Sequence, residues 1–212
     1  MKISLSIIVF CLLSIPGAFS QTTPLDAASI ARVKKGVEEA ALRTSTIVAG
    51  FTQEKEMSIL EEKMRSTGRF YFKKDKQLRW EYTKPYSYII IINNDRITIK
   101  DEQKTNSFDT RSNKVFGEIN KIIVGSIRGT LLNDPQNFRT SYYNSSAAWI
   151  VKLVPLSAAL KSSLKEITLH FDKKDFSVNR VEMTENTGDK TVIIFTDKKF
   201  NQPVANEKFI LR

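Results

Sequence analysis

The sequence predicts a mainly β, α+β protein: a strongly curved antiparallel sheet of about eleven strands, an incomplete barrel, closed on its concave side by a helical lid. Three observations predict it. From Gly68 to Ile99 polarity alternates with a period of two between turn residues. From Pro24 to Ala41 apolar residues recur at spacings of three and four. Beyond Phe138 the chain returns to short period-two segments almost to its end, with no internal repeat or low-complexity linker to mark a domain boundary.

At the N-terminus, Lys2 precedes the apolar run Ile3–Leu13, followed by the breaker pair Pro16 and Gly17 and the small residues Ala18 and Ser20 at the positions a signal peptidase reads. We read residues 1–20 as a secretion signal and 21–212 as one mature domain, starting at Gln21 outside the cytoplasm. The alternative is a retained membrane anchor, for which Ile3–Leu13 is short against about 30 Å of hydrocarbon. Cys11, the only cysteine, lies inside the run between Phe10 and Leu12. Lipid-attachment cysteines sit at the end of such runs beside small residues, so Cys11 reads as filler. A mature chain without thiols has no disulfide and no thiolate metal site, and about 190 residues suffice for one domain held by its apolar core.

The formal net charge is +10, from 33 Lys and Arg against 23 Asp and Glu. The excess is spread along the chain, which fits either an attraction to anionic membrane surfaces or an acidic partner, or simply a solvated basic surface. Nucleic acid fits an exported protein poorly.

Each element follows from its pattern. Asp26 is a candidate cap for a helix over Pro24–Ala41 with Ile30, Val33, Val37 and Ala41 on one face. Ile47, Ala49 and Phe51 then alternate in a first strand, and the polar segment Glu54–Ser66 is a long hairpin arm or a loop. Phe70 and Phe72 face one way in the next strand. Beyond the charged turn Lys73–Lys76, Leu78, Trp80 and Tyr82 face the same way, with Arg79 and Glu81 outward. Pro85 ends that strand. Tyr88–Ile92 forms another and turns through Asn93, Asn94 and Asp95 into Ile97 and Ile99. Four successive isoleucines make both faces of this strand apolar, one to pack on a covering helix and the other to line the interior. Val115, Ile119, Ile122, Ile123, Ile127 and Leu131 mark a second amphipathic helix, weakened by Gly125 and Gly129. The remaining strands are Phe138–Tyr143, Trp149–Val154, Ile167–Phe171, Phe176–Met183, Val192–Thr196 and a final Lys208–Leu211, with a brief helical turn at Ala158–Leu164.

Little in the chain suggests catalysis. His170, the only histidine, sits in a strand with no second histidine or cysteine for a metal or thiol pair. The VGSIRG run around Ser126 lacks the glycine two residues before the serine that a nucleophile elbow needs. Glu38 and Glu39, like Glu61 and Glu62, are adjacent in sequence and diverge into solvent. No phosphate-cradling loop appears, so no cofactor and no enzymatic activity are expected. The chemistry offered is apolar burial. The inward face of Phe51, Phe70, Phe72, Leu78, Trp80, Tyr82, Ile90 and Ile92 is either a dry core or the wall of a cavity, under a lid carrying Ile119, Ile122, Ile123 and Ile127.

The aromatic strand pair with its KK turn, the RWEYTKP run, the FTQ at Phe51–Gln53 and the NQPVANEKFIL ending resemble the periplasmic lipoprotein carriers of the outer-membrane lipoprotein localisation pathway. The resemblance covers nearly all of the mature chain. It implies an open barrel with a helical lid whose interior holds the acyl chains of lipoproteins, working as a monomer in the periplasm. Such a carrier takes its cargo from an inner-membrane ABC transporter complex and hands it to an outer-membrane acceptor. By position, Phe70, Phe72, Leu78, Trp80 and Tyr82 fall on the interior strands and Ile122, Ile123 and Ile127 on the lid. Where many members have an arginine followed by proline at the turn, an arginine that helps fasten the lid, this chain has Lys74 and Asp75. Lysine cannot make the same planar bidentate contacts, which implies a more weakly closed or differently triggered lid. Other expectations within the fold are a regulator that senses lipidated protein or a membrane anti-sigma factor, normally with an additional domain, and a carrier of another lipid.

Overall fold

The computed structural model describes residues 22–59, 62–74, 76–109 and 122–211. The expected signal over residues 1–20 with Cys11, and Glu61, Asp75, Val115 and the lid residue Ile119, lie outside the described residues. In chain order the elements are β1 (Thr23–Pro24), α1 (Ala27–Arg43), β2 (Thr46–Met57), β3 (Glu62–Lys73), β4 (Gln77–Lys84), β5 (Tyr88–Asn93), β6 (Arg96–Lys100) and β7 (Thr105–Asp109). They continue with α2 (residues 122–128), β8 (Phe138–Asn144), β9 (Ala148–Pro155), α3 (Ala158–Lys161), β10 (Leu164–Asp172), β11 (Val178–Glu185) and β12 (Lys190–Phe200). Short 3-10 turns occupy Thr130–Asn133 and Asn206–Phe209.

The strands form one antiparallel sheet of twelve, ordered β1-β8-β9-β10-β11-β12-β2-β3-β4-β5-β6-β7. Two meanders, β8 to β12 and β2 to β7, are joined by the long β12–β2 pairing, in which Phe195 lies opposite Phe51. Edges β1 and β7 do not pair, so the sheet is not closed into a barrel. The expected fold class holds.

Local chemistry explains the boundaries. Asp26 caps α1 as expected, its carboxylate accepting from Ser29 N at 2.7 Å, while Pro24 pairs with Tyr143 in β1 instead of opening the helix. The polar Glu54–Ser66 segment is a hairpin arm: Ser58 N donates to Asp189 Oδ1 at 3.0 Å and Ser58 Oγ to the Thr187 carbonyl at 2.8 Å, bracing the arm on the β11–β12 turn.

Four expectations need correction. The strand β7, TNSFD, was not expected because an edge strand that buries little carries almost no hydrophobic pattern. The C-terminal segment Lys208–Leu211 is not a strand; it runs out of a 3-10 turn whose Phe209 is 1% exposed. Phe176 does not begin β11 but adopts φ +58 just before it. Finally, the glycines do not simply soften α2. Gly129 ends that helix at φ +69, a left-handed stop, and a Cβ on Gly125 would lie 2.8 Å from Leu131 Cγ.

The helix-side core has two lobes. Val33 and Val37 of α1 pack with Phe138, Tyr142, Val151, Leu153, Ile167, Leu169 and Phe171 over β8–β11. Ile123, Val124 and Ile127 of α2 pack over β12 and β2–β6, and Val181, Met183 and Phe195 touch both lobes. On the opposite sheet face, Val48, Tyr71, Ile89 and Ile91 are covered by Val204, Phe209 and Leu211. The second apolar face of the isoleucine strand is thus covered by the C-terminal segment, not by a helix as expected.

Candidate functional site: the apolar lobe under α2

Strand register builds the lobe in rows across the sheet. Ala49, Phe70, Trp80, Ile90 and Ile99 are successive cross-strand partners, as are Ile47, Phe72, Leu78, Ile92 and Ile97. A third row runs from Phe195 through Phe51 and Gly68 to Tyr82 and Tyr88. Gly68 is required there, since its Cβ would lie 2.7 Å from the Phe51 ring. The rings interlock, with centroids 4.9 Å apart for Phe51 and Trp80, 5.0 Å for Phe70 and Trp80, and 5.4 Å for Phe70 and Phe195. Such edge and tilted contacts suit the ring quadrupoles.

The eight expected interior residues therefore come together. Phe51, Phe70, Phe72, Leu78, Trp80 and Ile92 are buried in one cluster, with Tyr82 and Ile90 packed against it. Of the lid residues, Ile123 and Ile127 join this lobe, whereas Ile122 points into the α1 lobe. Adjacent helix positions diverge by about 100°, and two lobes meet beneath α2, so the packing divides its neighbours, Ile122 to one lobe and Ile123 with Val124 to the other. Ile193, Phe195 and Phe200 also belong to the lobe. The alternation of Ile193 and Phe195 was a readable signal, whereas Phe200 joins the lobe only through the register shift between Thr196 and Lys199.

Among the described residues, the side chains of the lobe pack against one another. A cavity of about 40 Å³ remains between the end of α1, the start of β2, Ile127 and the β11–β12 strands, room for about three water-sized groups and not for an acyl chain. Two polar features interrupt the apolar surface. Trp80 Nε1 is buried without a hydrogen bond of normal geometry among the described residues, although buried donors are normally satisfied; its polar neighbour is the Tyr82 hydroxyl. Tyr82 donates its hydroxyl to Gln53 Oε1 at 2.9 Å, and burial pushes its pKa up to about 12.

The fastening of α2 is the reverse of what the resemblance implies. The Lys74 ammonium reaches away from α2, to the Leu42 carbonyl at the end of α1, 3.4 Å away. Instead the guanidinium of Arg128, at the last position of α2, donates to the backbone carbonyl of Lys74. The arginine is on the helix and its acceptor is on the turn. Sequence reasoning did not single out Arg128, because its neighbours mark it only as the polar end of an amphipathic segment.

The residues weighed for catalysis are structurally committed. Ser126 Oγ donates to the Ile122 carbonyl at 2.6 Å. A ring nitrogen of His170 lies 2.7 Å from Glu182 Oε1, which also accepts from Arg180 Nε at 2.9 Å, and burial holds the His170 pKa below its usual value. Among the described residues no group of three His, Cys, Asp or Glu could hold a metal ion, and no helix is long and apolar enough to cross a membrane.

No curated protein matches the sequence. Among solved structures, a MucA/MucB complex from Pseudomonas aeruginosa shares 12% identity at a TM-score of 0.50, over 87% of this chain and 61% of that one. An uncharacterized conserved protein from Thermus thermophilus shares 14% at 0.50, over 85% and 92%. A LolA superfamily protein from Nitrosomonas europaea shares 8% at 0.45, over 86% and 97%. This chain therefore spans about three fifths of the MucB-containing match, and at these identities the likeness is one of fold. The family described as outer membrane lipoprotein carrier protein LolA matches residues 43–212, which takes in the sheet from β2 onward, α2 and the whole apolar lobe, and the chain accordingly belongs to the LolA family.

Proposed function

We propose that this protein is a periplasmic carrier that buries the acyl chains of lipoproteins in the lobe under α2. It would receive them from an inner-membrane ABC transporter complex and release them to an outer-membrane acceptor, without catalysis and as a monomer. The observation that carries the proposal is the construction of the lobe. Ile123 and Ile127 close a continuous aromatic face, and the polar contact that holds their helix to the sheet among the described residues is Arg128 to a single carbonyl.

The energetics suit a carrier. Each acyl CH₂ gains about 0.8 kcal/mol on burial, so a lipid with two or three chains leaves a membrane slowly unless a comparable apolar surface receives it. Here the receiving surface is satisfied by Ile123 and Ile127 at rest. Displacing α2 exchanges protein–protein for protein–lipid contact at little net cost, which keeps the cargo releasable. Trp80 Nε1, without a hydrogen bond of normal geometry among the described residues, adds a donor for an ester or amide oxygen of the cargo.

The test is transfer. The mature protein is mixed with liposomes bearing a triacylated lipoprotein, and saturable, one-to-one extraction followed by delivery to acceptor vesicles is expected. No extraction by a folded sample overturns the proposal. Extraction without delivery favours the regulatory alternative, in which the same lobe senses lipidated protein. A free lipid found by mass spectrometry of protein isolated from its own periplasm would redirect the cargo.

A further inference from the structure

The small cavity has one charged residue in its wall. Lys198 lines it together with Ala41, Ile127, Val178, Phe195 and Phe200. Regular alternation would not put it there. Phe195 faces the interior opposite Phe51 and Phe200 faces it opposite Ile47, but the register shifts between Thr196 and Lys199, with Asp197 at φ +49. This is a β-bulge, the device that re-aims a side chain out of the strand's alternation, and it turns Lys198 to the cavity while Lys199 keeps the outer register opposite Val48.

The ammonium is half-buried and held by neutral oxygens. It donates to Ser177 Oγ and Asn179 Oδ1, and its third acceptor, the Val178 carbonyl, is 3.5 Å away, the outer limit of a hydrogen bond. No carboxylate pairs with it among the described residues. The two that face it, Asp172 and Asp175, are engaged elsewhere. Asp172 accepts from Lys174 N at 2.7 Å and Asn179 Nδ2 at 3.1 Å, and Asp175 from Ser177 N at 2.8 Å and Ser177 Oγ at 2.6 Å. Burial accordingly holds the Lys198 pKa below its usual value, partly offset by those two carboxylates.

We infer that Lys198 is a head-group site, at which the cavity takes the anionic end of an acyl-chain amphiphile, a carboxylate or a phosphate, with the chain running under α2. The inference rests on the carrier proposal, because a chain enters only where Ile127 gives way, and it adds a second cargo class, since the ester- and amide-linked chains of a lipoprotein carry no anionic end. The weakly engaged third proton of the ammonium meets the anion, and the Phe195 and Phe200 rings flank the first methylenes. A half-buried cation held by neutral oxygens beside an apolar wall selects a charged head over a neutral one of the same shape.

The test compares a fluorescent polyene fatty acid, cis-parinaric acid, with its methyl ester by titration into the mature protein. The acid binds at least about tenfold more tightly than the ester, or ~1.4 kcal/mol. Lys198→Met and Lys198→Gln remove the difference between acid and ester, Lys198→Arg keeps it, and Lys199→Met, an equal loss of charge on the other side of the strand, also keeps it. Equal affinity of wild type for acid and ester, or a preference surviving in both Lys198→Met and Lys198→Gln, overturns the inference while leaving the carrier proposal standing. Absence of saturable binding of either probe overturns the inference, and overturns the carrier proposal as well when the same sample also fails to extract lipoprotein. Displacement of the bound acid by oleate or by lysophosphatidylglycerol identifies carboxylate or phosphate, and monooleoylglycerol displacing as well as oleate overturns the charged-head requirement.

Discussion

Replacing Arg128 by methionine tests the closure of the lobe most directly. The guanidinium donates to the Lys74 carbonyl, while the aliphatic stem, which methionine roughly reproduces, stays in place. A hydrogen bond from a charged donor contributes about 1.5–3 kcal/mol when buried. Arg128 is only half-buried and the Lys74 side exposed, so solvent reduces the expected loss to ~1 kcal/mol. That lowers the closed-to-open ratio of α2 about fivefold. Where ligand enters through a minor open state, the association rate scales with its population, so stopped-flow mixing with an apolar dye should show a rate about fivefold faster than wild type, with a melting temperature only slightly lower. Lys74→Ala is the matched control. It removes the weak 3.4 Å contact to Leu42 but leaves the backbone carbonyl that Arg128 uses, so its rate stays close to wild type. An unchanged rate in Arg128→Met, or a larger effect from Lys74→Ala, would refute the assignment of the fastening to Arg128.

Three further outcomes are expected. Gly129→Ala should destabilise the fold by more than about 1 kcal/mol in urea titration, because Gly129 has φ +69 and its Cβ would lie 2.7 Å from Val37 Cγ1; a variant as stable as wild type would show that α2 does not stop there. Phe209→Ala, at a residue 1% exposed, should cost about 3–5 kcal/mol without altering lipid affinity of the folded fraction, since Phe209 packs on Tyr71 and Ile91 across the sheet from the lobe. Tyr82 and Tyr142 have pKa values raised to about 12 from 10.0 by burial; this stability is fully present below pH 10 and lost as pH rises through 12, by on the order of 2 kcal/mol for Tyr82 and by less for Tyr142, where solvent screens the charge. Tyr82→Phe should flatten that decline in urea midpoints between about pH 9 and 12, and an undiminished decline would mean that Tyr82 ionises freely.

The sequence by itself determined the sheet and its polarity. Period-two alternation with turn residues between is a local property, so β2 to β6 and β8 to β12 were legible, and with them which of Phe70, Trp80 and Ile92 share a face. The cap at Asp26 was legible for the same reason, since capping involves residues close together in the chain. Elements whose stability comes from neighbours distant in sequence were not. Strand β7 exists because β6 offers it an edge, and the C-terminal segment is ordered because Tyr71 and Ile91 need cover. Neither has a strong pattern of its own.

Only the tertiary structure decided what closes and fills the lobe. Helical periodicity placed Ile122, Ile123 and Ile127 on one amphipathic segment, but two lobes meet beneath α2 and the packing divides the three between them. The family resemblance implied that the turn at Lys74 fastens a helix, yet the donor came from Arg128, 54 residues away, and the acceptor was a backbone carbonyl that any residue would supply. Lys198 read as one of many scattered lysines until a bulge in β12 turned it inward. Alternation is written in adjacent residues, whereas the partner of a side chain across the sheet is fixed only when register, twist and packing bring the two together.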